Sequence, residues 1–276
     1  MREITGRDAA PRAVSGPGAS TRVEPSPENR AQCSPKLLVS VRSAAESLVA
    51  LEGGASFIDI KEPASGSLGR AARVVQVEVV SALCTARERT PEFQREVTMT
   101  AALGELLTSG DPTSYSPVPG LSLYKLGLSD CGEDRDWMER LDGWRERLAT
   151  EAADLASVAY ADYRVARAPE PHAVLDYAID RRLRFLLIDT YEKKTGSLRD
   201  FLDDRELATL LAKAHRHEVS VALAGSLRTE DVHALARMGT DVLAVRGAAC
   251  KQGNRRLGLD PDRVRELVRL LRDPAI

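Results

Sequence analysis

From residue 36 onward the chain alternates short apolar runs with longer stretches in which apolar residues recur every three to four positions. The short runs read as buried strands over 37–41, 57–61, 97–102, 121–126, 155–159, 185–189, 220–224 and 242–246. Between them helical period is clearest over 43–51, 137–151, 171–180, 198–217 and 229–238, and 261–272 closes the chain. Such alternation is the signature of βα units around a parallel sheet. Eight repeats in about 240 residues is the size of a (β/α)8 TIM barrel; a doubly wound open sheet is the alternative. The expected class is therefore α/β, with one barrel domain over 35–276.

Two stretches depart from the repeat. Residues 1–34 hold Pro11, Pro17, Pro25 and Pro27 among scattered Gly, Ser, Arg and Glu, with no aromatic residue and no apolar period. Such a segment cannot bury enough surface to offset the entropy of ordering, so a flexible tail is expected. Between Ala102 and Leu121 the run GELLTSGDPTSYSPVPG carries three prolines, which leaves room for a short helix at most.

Composition narrows the function classes. With 39 basic against 41 acidic residues and a net charge of −2, no electrostatic case exists for a nucleic-acid or anionic-membrane partner. No apolar run reaches the ~18 residues that cross a bilayer and no secretory core is present, so a cytoplasmic protein is expected. Cys33, Cys84, Cys131 and Cys250 are far apart and form no CxxC pair, which argues against a zinc knuckle or a disulfide framework. His172, His215, His217 and His233 fall in helical stretches away from strand ends, and no metal site is expected. GxxxxGK[ST], GxGxxG after the first strand and GxSxG are all missing from the sequence.

The basic residues carry the sharper signal. Only seven of the 39 are lysine. In a barrel strand alternate residues face the interior, and groups at the carboxyl ends gather around one mouth. In FIDIKEP this puts Asp59 and Lys61 on the inward parity; Lys125 lies near the end of strand four, Asp189 ends strand six, and Lys193 and Lys194 follow it. Asp59 with Lys61 and Lys125 with Asp189 can pair as structural ion pairs, but desolvation consumes most of what a buried pair gains. Lysine, unlike arginine, can lose its proton, attack a carbonyl and form an imine, or act as a base. Bringing its pKa from ~10.4 to about 7 takes roughly 4–5 kcal/mol, which burial and a neighbouring ammonium supply. Schiff-base aldolase or lyase chemistry is the natural class.

A second signal closes the barrel. Strand seven runs into Gly225 and Ser226, and strand eight into Arg246 and Gly247. Glycines there let backbone N–H groups approach an oxyanion, the usual place for a barrel to hold a phosphate; turn glycines are the plainer reading. SGSLGR (65–70), beside Lys61, is a weaker candidate for a second phosphate.

The stretch KLLVSVRSAAESLVALEGGASFIDIKEPASGSLGR (36–70), with LYKLGL, LLIDTYEKK, LAGSL and VLAVRGAAC, resembles the (5-formylfuran-3-yl)methyl phosphate synthase family, also called 4-(hydroxymethyl)-2-furancarboxaldehyde-phosphate synthase, of methanofuran biosynthesis. The likeness spans roughly residues 36–250, and D-x-K-x-P followed by G-S-L-G is its most specific motif. It implies condensation of two glyceraldehyde 3-phosphate molecules with loss of phosphate and water, using no metal or organic cofactor. By motif Lys61 takes the Schiff-base position and Lys125 the proton-acceptor position, while Asp59, Asp189 and Lys193 take the other acidic and basic positions. The departures are the N-terminal tail and the abbreviated third unit around Gly104 and Glu105, which leave the role of Glu105 and subunit packing open. A homo-oligomer is expected, since closed barrels commonly associate through their outer helices. The alternatives are another class I aldolase-like or isomerase barrel acting on a phosphorylated sugar, and a non-catalytic phosphometabolite-binding barrel.

Overall fold

The computed structural model describes residues 34–272. The expected tail, 1–34, lies outside them but for Ser34. Eight parallel strands close on themselves in sequence order. They are β1 (Lys36–Val41), β2 (Phe57–Ile60), β3 (Thr98–Glu105), β4 (Leu123–Gly127), β5 (Asp154–Tyr160), β6 (Phe185–Asp189), β7 (Ser220–Leu223) and β8 (Val242–Val245). β1 pairs with β8 in the register Leu38 to Ala244, which eliminates the open sheet. Outside the barrel lie α1 (Ala44–Gly53), α2 (Arg73–Arg89), α3 (Trp137–Ala149), α4 (Tyr163–Ala166), α5 (Pro171–Asp180), α6 (Leu198–Phe201), α7 (Asp204–Arg216), α8 (Thr229–Ala236) and α9 (Pro261–Arg272). No described helix is long and apolar enough to cross a membrane.

Strand parity divides the core in two. Outward residues such as Val39, Ile58, Tyr124 and Ile188 pack beneath the helices, while Leu38, Phe57, Val158, Leu187 and Ala244 fill the barrel interior. Burying each such aliphatic side chain contributes about 1.5–3 kcal/mol, so the two-residue alternation is strongly enforced.

Three differences from the sequence reading have local causes. The expected helix over 198–217 breaks into α6 and α7, because Asp203 and Glu206 form a reciprocal capping box that restarts the helix. Its neighbour Leu202 is extended and ends α6. The stretch between strands two and three, which the sequence reading does not assign, forms α2 and buries Gln76, Val79, Val80 and Leu83 at helical spacing. β3 runs to Glu105, three residues beyond its expected end, through a register shift between Ala102 and Glu105 in which Gly104 takes φ +93°.

The third unit is as thin as its prolines require, with only three-residue turns at Leu106–Thr108 and Pro112–Ser114 before β4. An aromatic plug replaces the helix. Tyr115 packs against Trp144 and Tyr124 with ring centres 5.5 and 5.9 Å away, and the Arg70 guanidinium lies over Tyr115 at 5.2 Å. Arg70 also donates to the carbonyls of Leu103 and Ser109, at 2.9 and 3.1 Å, which anchors the loop after β2.

Candidate active site

The carboxyl ends of the strands surround a cavity of about 480 Å3 whose wall includes Asp59, Lys61, Lys125, Asp189 and Lys193. Residues from three stretches of chain thus meet at one mouth, and the volume suits a small metabolite. Lys61 and Lys125 open into the same space.

The pairing differs from the expected one. Lys125 forms its ion pair with Asp59 and donates to Thr100 Oγ1 at 3.0 Å. Thr100 in turn donates to Asp59 Oδ1 at 2.9 Å, and the Ser40 hydroxyl to Oδ2 at 3.3 Å. Lys193 pairs with Asp189 instead. The reason is strand geometry: Asp59 and Lys61 are two residues apart, so their side chains stand about 6.6 Å apart along one strand, in successive layers. Thr100 pairs directly with Asp59 and Ala102 with Lys125, so the Lys125 side chain reaches back across β3.

Asp189 ends β6 wholly inside this mouth. Its Oδ1 accepts from the Thr190 amide at 2.8 Å and from Lys193, and its Oδ2 accepts from the Ser67 hydroxyl at 3.2 Å. Burial pushes this carboxyl up, but the ammonium groups of Lys193 and Lys61 hold it below its ordinary value. Lys193 is drawn down to about 8 by burial, against the pull of Asp189. Burial likewise lowers Lys125 below the ordinary lysine range, against the pull of Asp59.

Lys61 stands apart. Its ammonium donates to the Ser67 carbonyl at 3.3 Å and forms no ion pair among the described residues. Within SGSLGR it is Ser67 that is committed to the lysine and aspartate, and its hydroxyl also donates to Thr190 O at 2.9 Å.

Glu105, left open by the sequence, sits beside the site as a connector. Its Oε1 accepts from the Tyr160 hydroxyl at 2.7 Å and its Oε2 from the Ser129 amide at 3.0 Å. Tyr160, opposite Asp189 in the β5–β6 register, presents its ring to Tyr191 at 5.4 Å. Burial and then Glu105 push the Tyr160 phenol far above its ordinary value, so it stays a donor.

The four residues expected at a phosphate all line the same cavity, but they divide by chemistry. Gly225 has φ +110°, and a Cβ there would press on Thr190 Cγ2 at 2.8 Å, so only glycine fits. Ser226 donates to the Lys193 carbonyl at 3.3 Å, and Gly247 opens a short turn. Arg246 is spoken for: its guanidinium donates to Glu46 at 2.9 and 3.1 Å and to Ser40 O at 2.8 Å. Its charge is thus neutralised within the wall, and a phosphate would meet the glycines rather than this cation.

Among the described residues no cluster of three His, Cys, Asp or Glu could hold a metal. His215 is used structurally, bonding Asp241 at 2.9 Å. Sequence reasoning missed Ser40, Thr100, Ser67 and Tyr160; the inward parity of Ser40 and Thr100 is the one signal that could have found two of them.

Known proteins place this geometry in a family. The profile of the 4-HFC-P synthase family matches residues 37–268. A (5-formylfuran-3-yl)methyl phosphate synthase from Methanococcus maripaludis is 34% identical over 248 residues, covering 86% of this chain and 99% of that protein. One from Methanopyrus kandleri is 33% identical over 230 residues, covering 81% and 93%. Among solved structures, 3-hexulose-6-phosphate synthase from Salmonella typhimurium superposes with a TM-score of 0.53 at 14% identity, covering 86% and 98%. Phosphoribosyl anthranilate isomerase from Thermus thermophilus gives 0.53 at 17%, with the same coverage; at such identities the likeness is one of fold. The chain accordingly belongs to the 4-HFC-P synthase family and is an enzyme of that family, whose curated relatives are named (5-formylfuran-3-yl)methyl phosphate synthase.

Proposed function

We propose that this enzyme joins two glyceraldehyde 3-phosphate molecules into (5-formylfuran-3-yl)methyl phosphate, releasing one phosphate and two waters, through an imine on Lys61. The observation that carries the reading is the state of Lys61, which alone of the three cavity lysines has no carboxylate partner among the described residues. A carboxylate against the nitrogen holds it in place by charge; a nitrogen with no such partner is free to reach a carbonyl carbon.

The Lys61 nitrogen adds to the aldehyde carbon of one triose, and the carbinol oxygen leaves as water. The resulting imine draws electrons from the adjacent C–H bond. Lys125, whose proton affinity burial lowers against the pull of Asp59, accepts that proton within its network to Asp59 and Thr100. The enamine expels the phosphate from its own C3, which leaves a conjugated imine, and the enol carbon C2 of the second triose adds to that C3. The C2 hydroxyl of the first triose closes the ring on the aldehyde of the second, two waters leave as the ring aromatises, and hydrolysis of the imine returns Lys61 and frees the furan aldehyde. Aromatisation makes the sequence one-way. Asp189 and Lys193 exchange protons with the departing groups, while Gly225, Ser226 and Gly247, with Arg246 in the wall behind them, take a substrate phosphate.

Borohydride reduction in the presence of glyceraldehyde 3-phosphate should fix a triose adduct on Lys61, located by peptide mass spectrometry, and furan product should accumulate without reductant. An adduct on another lysine, or turnover surviving in Lys61→Arg, would end the imine role.

A further inference from the structure

After β8 the chain does not run directly into α9. Two short turns, Gly247–Ala249 and Lys251–Gly253, lead into a reversal at Gln252 and Gly253, with φ +57° and +68°. The returning strand then pairs with the outgoing one: Lys251 N donates to Gly258 O and Asp260 N to Ala249 O, both at 3.0 Å, and Cys250 bridges Leu259 in antiparallel fashion. Cys250 and Leu259 are buried, and Arg263 Nε donates to Ala248 O at 3.0 Å, so the base of this flap is fastened to the barrel.

The flap carries Arg255 to the cavity wall. A Cβ placed on Gly247 would lie 3.9 Å from Arg255 Cβ, so the base of the arginine side chain sits against that glycine. Three cations of the wall are held in ion pairs, Lys125 with Asp59, Lys193 with Asp189 and Arg246 with Glu46, while Lys61 is engaged with the Ser67 carbonyl. Arg255 has no hydrogen-bond or ion-pair partner among the described residues, and its charge reaches far enough to weaken proton binding at Lys193. An uncommitted guanidinium above a glycine corner offers the planar two-pronged donor that a phosphate monoester accepts best.

We infer that Arg255 is the side chain that grips the phosphate of the bound triose phosphate, closing from the flap onto the backbone of Gly247. This assignment rests on the reading of the cavity as a triose-phosphate site. It gives the flap a purpose: it supplies the cation that Arg246, held by Glu46, does not.

The test uses the full chain with Arg255→Gln, Arg255→Lys, and Arg256→Gln as an exposed neighbour outside the cavity wall. Inorganic phosphate binding is followed by titration calorimetry, and borohydride trapping is compared for glyceraldehyde 3-phosphate and unphosphorylated glyceraldehyde. Loss of a charge-assisted contact should weaken phosphate binding about 10- to 100-fold in Arg255→Gln and lower the ratio of phosphorylated to unphosphorylated adduct by a similar factor. Arg255→Lys should recover part of both, and Arg256→Gln should match the parent. Unchanged phosphate affinity, no phosphate binding by the parent, or equal loss of both adducts overturns the assignment. Phosphate binding needs no imine, so a parent enzyme that binds phosphate but traps nothing on Lys61 refutes the proposed reaction and still lets calorimetry judge Arg255.

Discussion

Ser67 and Asp189, 122 residues apart in the chain, are joined by a hydrogen bond of 3.2 Å from the serine hydroxyl to the carboxylate. Because the Ser67 carbonyl accepts from Lys61 Nζ at 3.3 Å, this one residue links the unpaired amine to the buried acid across the barrel mouth. Ser67→Ala keeps the carbonyl and deletes the hydroxyl. A lost hydrogen bond to a charged group costs about 1.5–3 kcal/mol, so kcat should fall about tenfold or more, with KM nearly constant, as Asp189 loses its alignment. Steady-state kinetics with urea unfolding checks this. An unchanged kcat in a fully folded variant would show that Asp189 needs no anchor from the β2 loop.

Asp59 and Lys125 form an ion pair whose members are 2% and 3% exposed. Removing one partner of such a pair strands a buried charge, at a cost of about 3–5 kcal/mol, whereas removing both is often nearly neutral. Lys125→Met should therefore be strongly destabilised, and Lys125→Met with Asp59→Leu should regain most of the loss. Denaturant unfolding of the two variants decides this, and equal stabilities would mean that the pair is solvated. The single variant should retain borohydride trapping on Lys61 while losing turnover, since proton abstraction follows imine formation. Absence of the adduct as well would overturn that division of labour.

The barrel was legible because each strand is a short apolar run bounded by turn residues, and parity alone aims Asp59, Lys61 and Lys125 inward. What remained hidden was set by contacts between strands. The partner of Asp59 depends on the register that brings Thr100 opposite it, which one strand's pattern cannot reveal. Ser67 reads as a loop serine until the β2 loop is folded across to β6. Arg255 is one arginine among many, and its role emerges only with the hairpin from Cys250 to Leu259. The break between α6 and α7 was signalled by Asp203 and Glu206, but helical period on both sides masked it.

Lys193 should leave a mark on stability against pH. Burial lowers its proton affinity to about 8 in the folded enzyme, while the unfolded chain keeps the ordinary value of 10.5. Between those two values the unfolded state binds more protons, so this group makes the fold more stable as pH rises, by at most about 1.4 kcal/mol per unit. Below about pH 8 both states are protonated and the contribution is flat. Lys193→Met removes the slope, so the parent should gain stability relative to the variant from pH 8 to 10.5. Asp189→Asn, by removing the carboxylate that supports the ammonium form, should move the onset to lower pH. A parent-minus-variant difference that stays constant over that window would place the Lys193 titration elsewhere.

Gly127 is the tightest point of the Glu105 connector. A methyl group at this position would fall inside the van der Waals surfaces of Glu105 Oε2 and the Tyr160 hydroxyl oxygen. Both atoms belong to the hydrogen bonds that hold Glu105 between Tyr160 and the Ser129 amide, so neither can withdraw without breaking one. Overpacking of this kind costs about 1–3 kcal/mol, and Gly127→Ala should lose that much stability in urea. Tyr160→Phe deletes one of the two obstructing oxygens. Combined with Gly127→Ala it should cost less than the sum of the single changes, because part of the clash disappears with the hydroxyl. Tyr160 meets Tyr191, two residues past Asp189, so Gly127→Ala should also lower kcat, by pushing Tyr160 against the strand end that carries the acid. Additive losses, or a Gly127→Ala enzyme as stable and active as the parent, would show that Glu105 swings free of the barrel mouth.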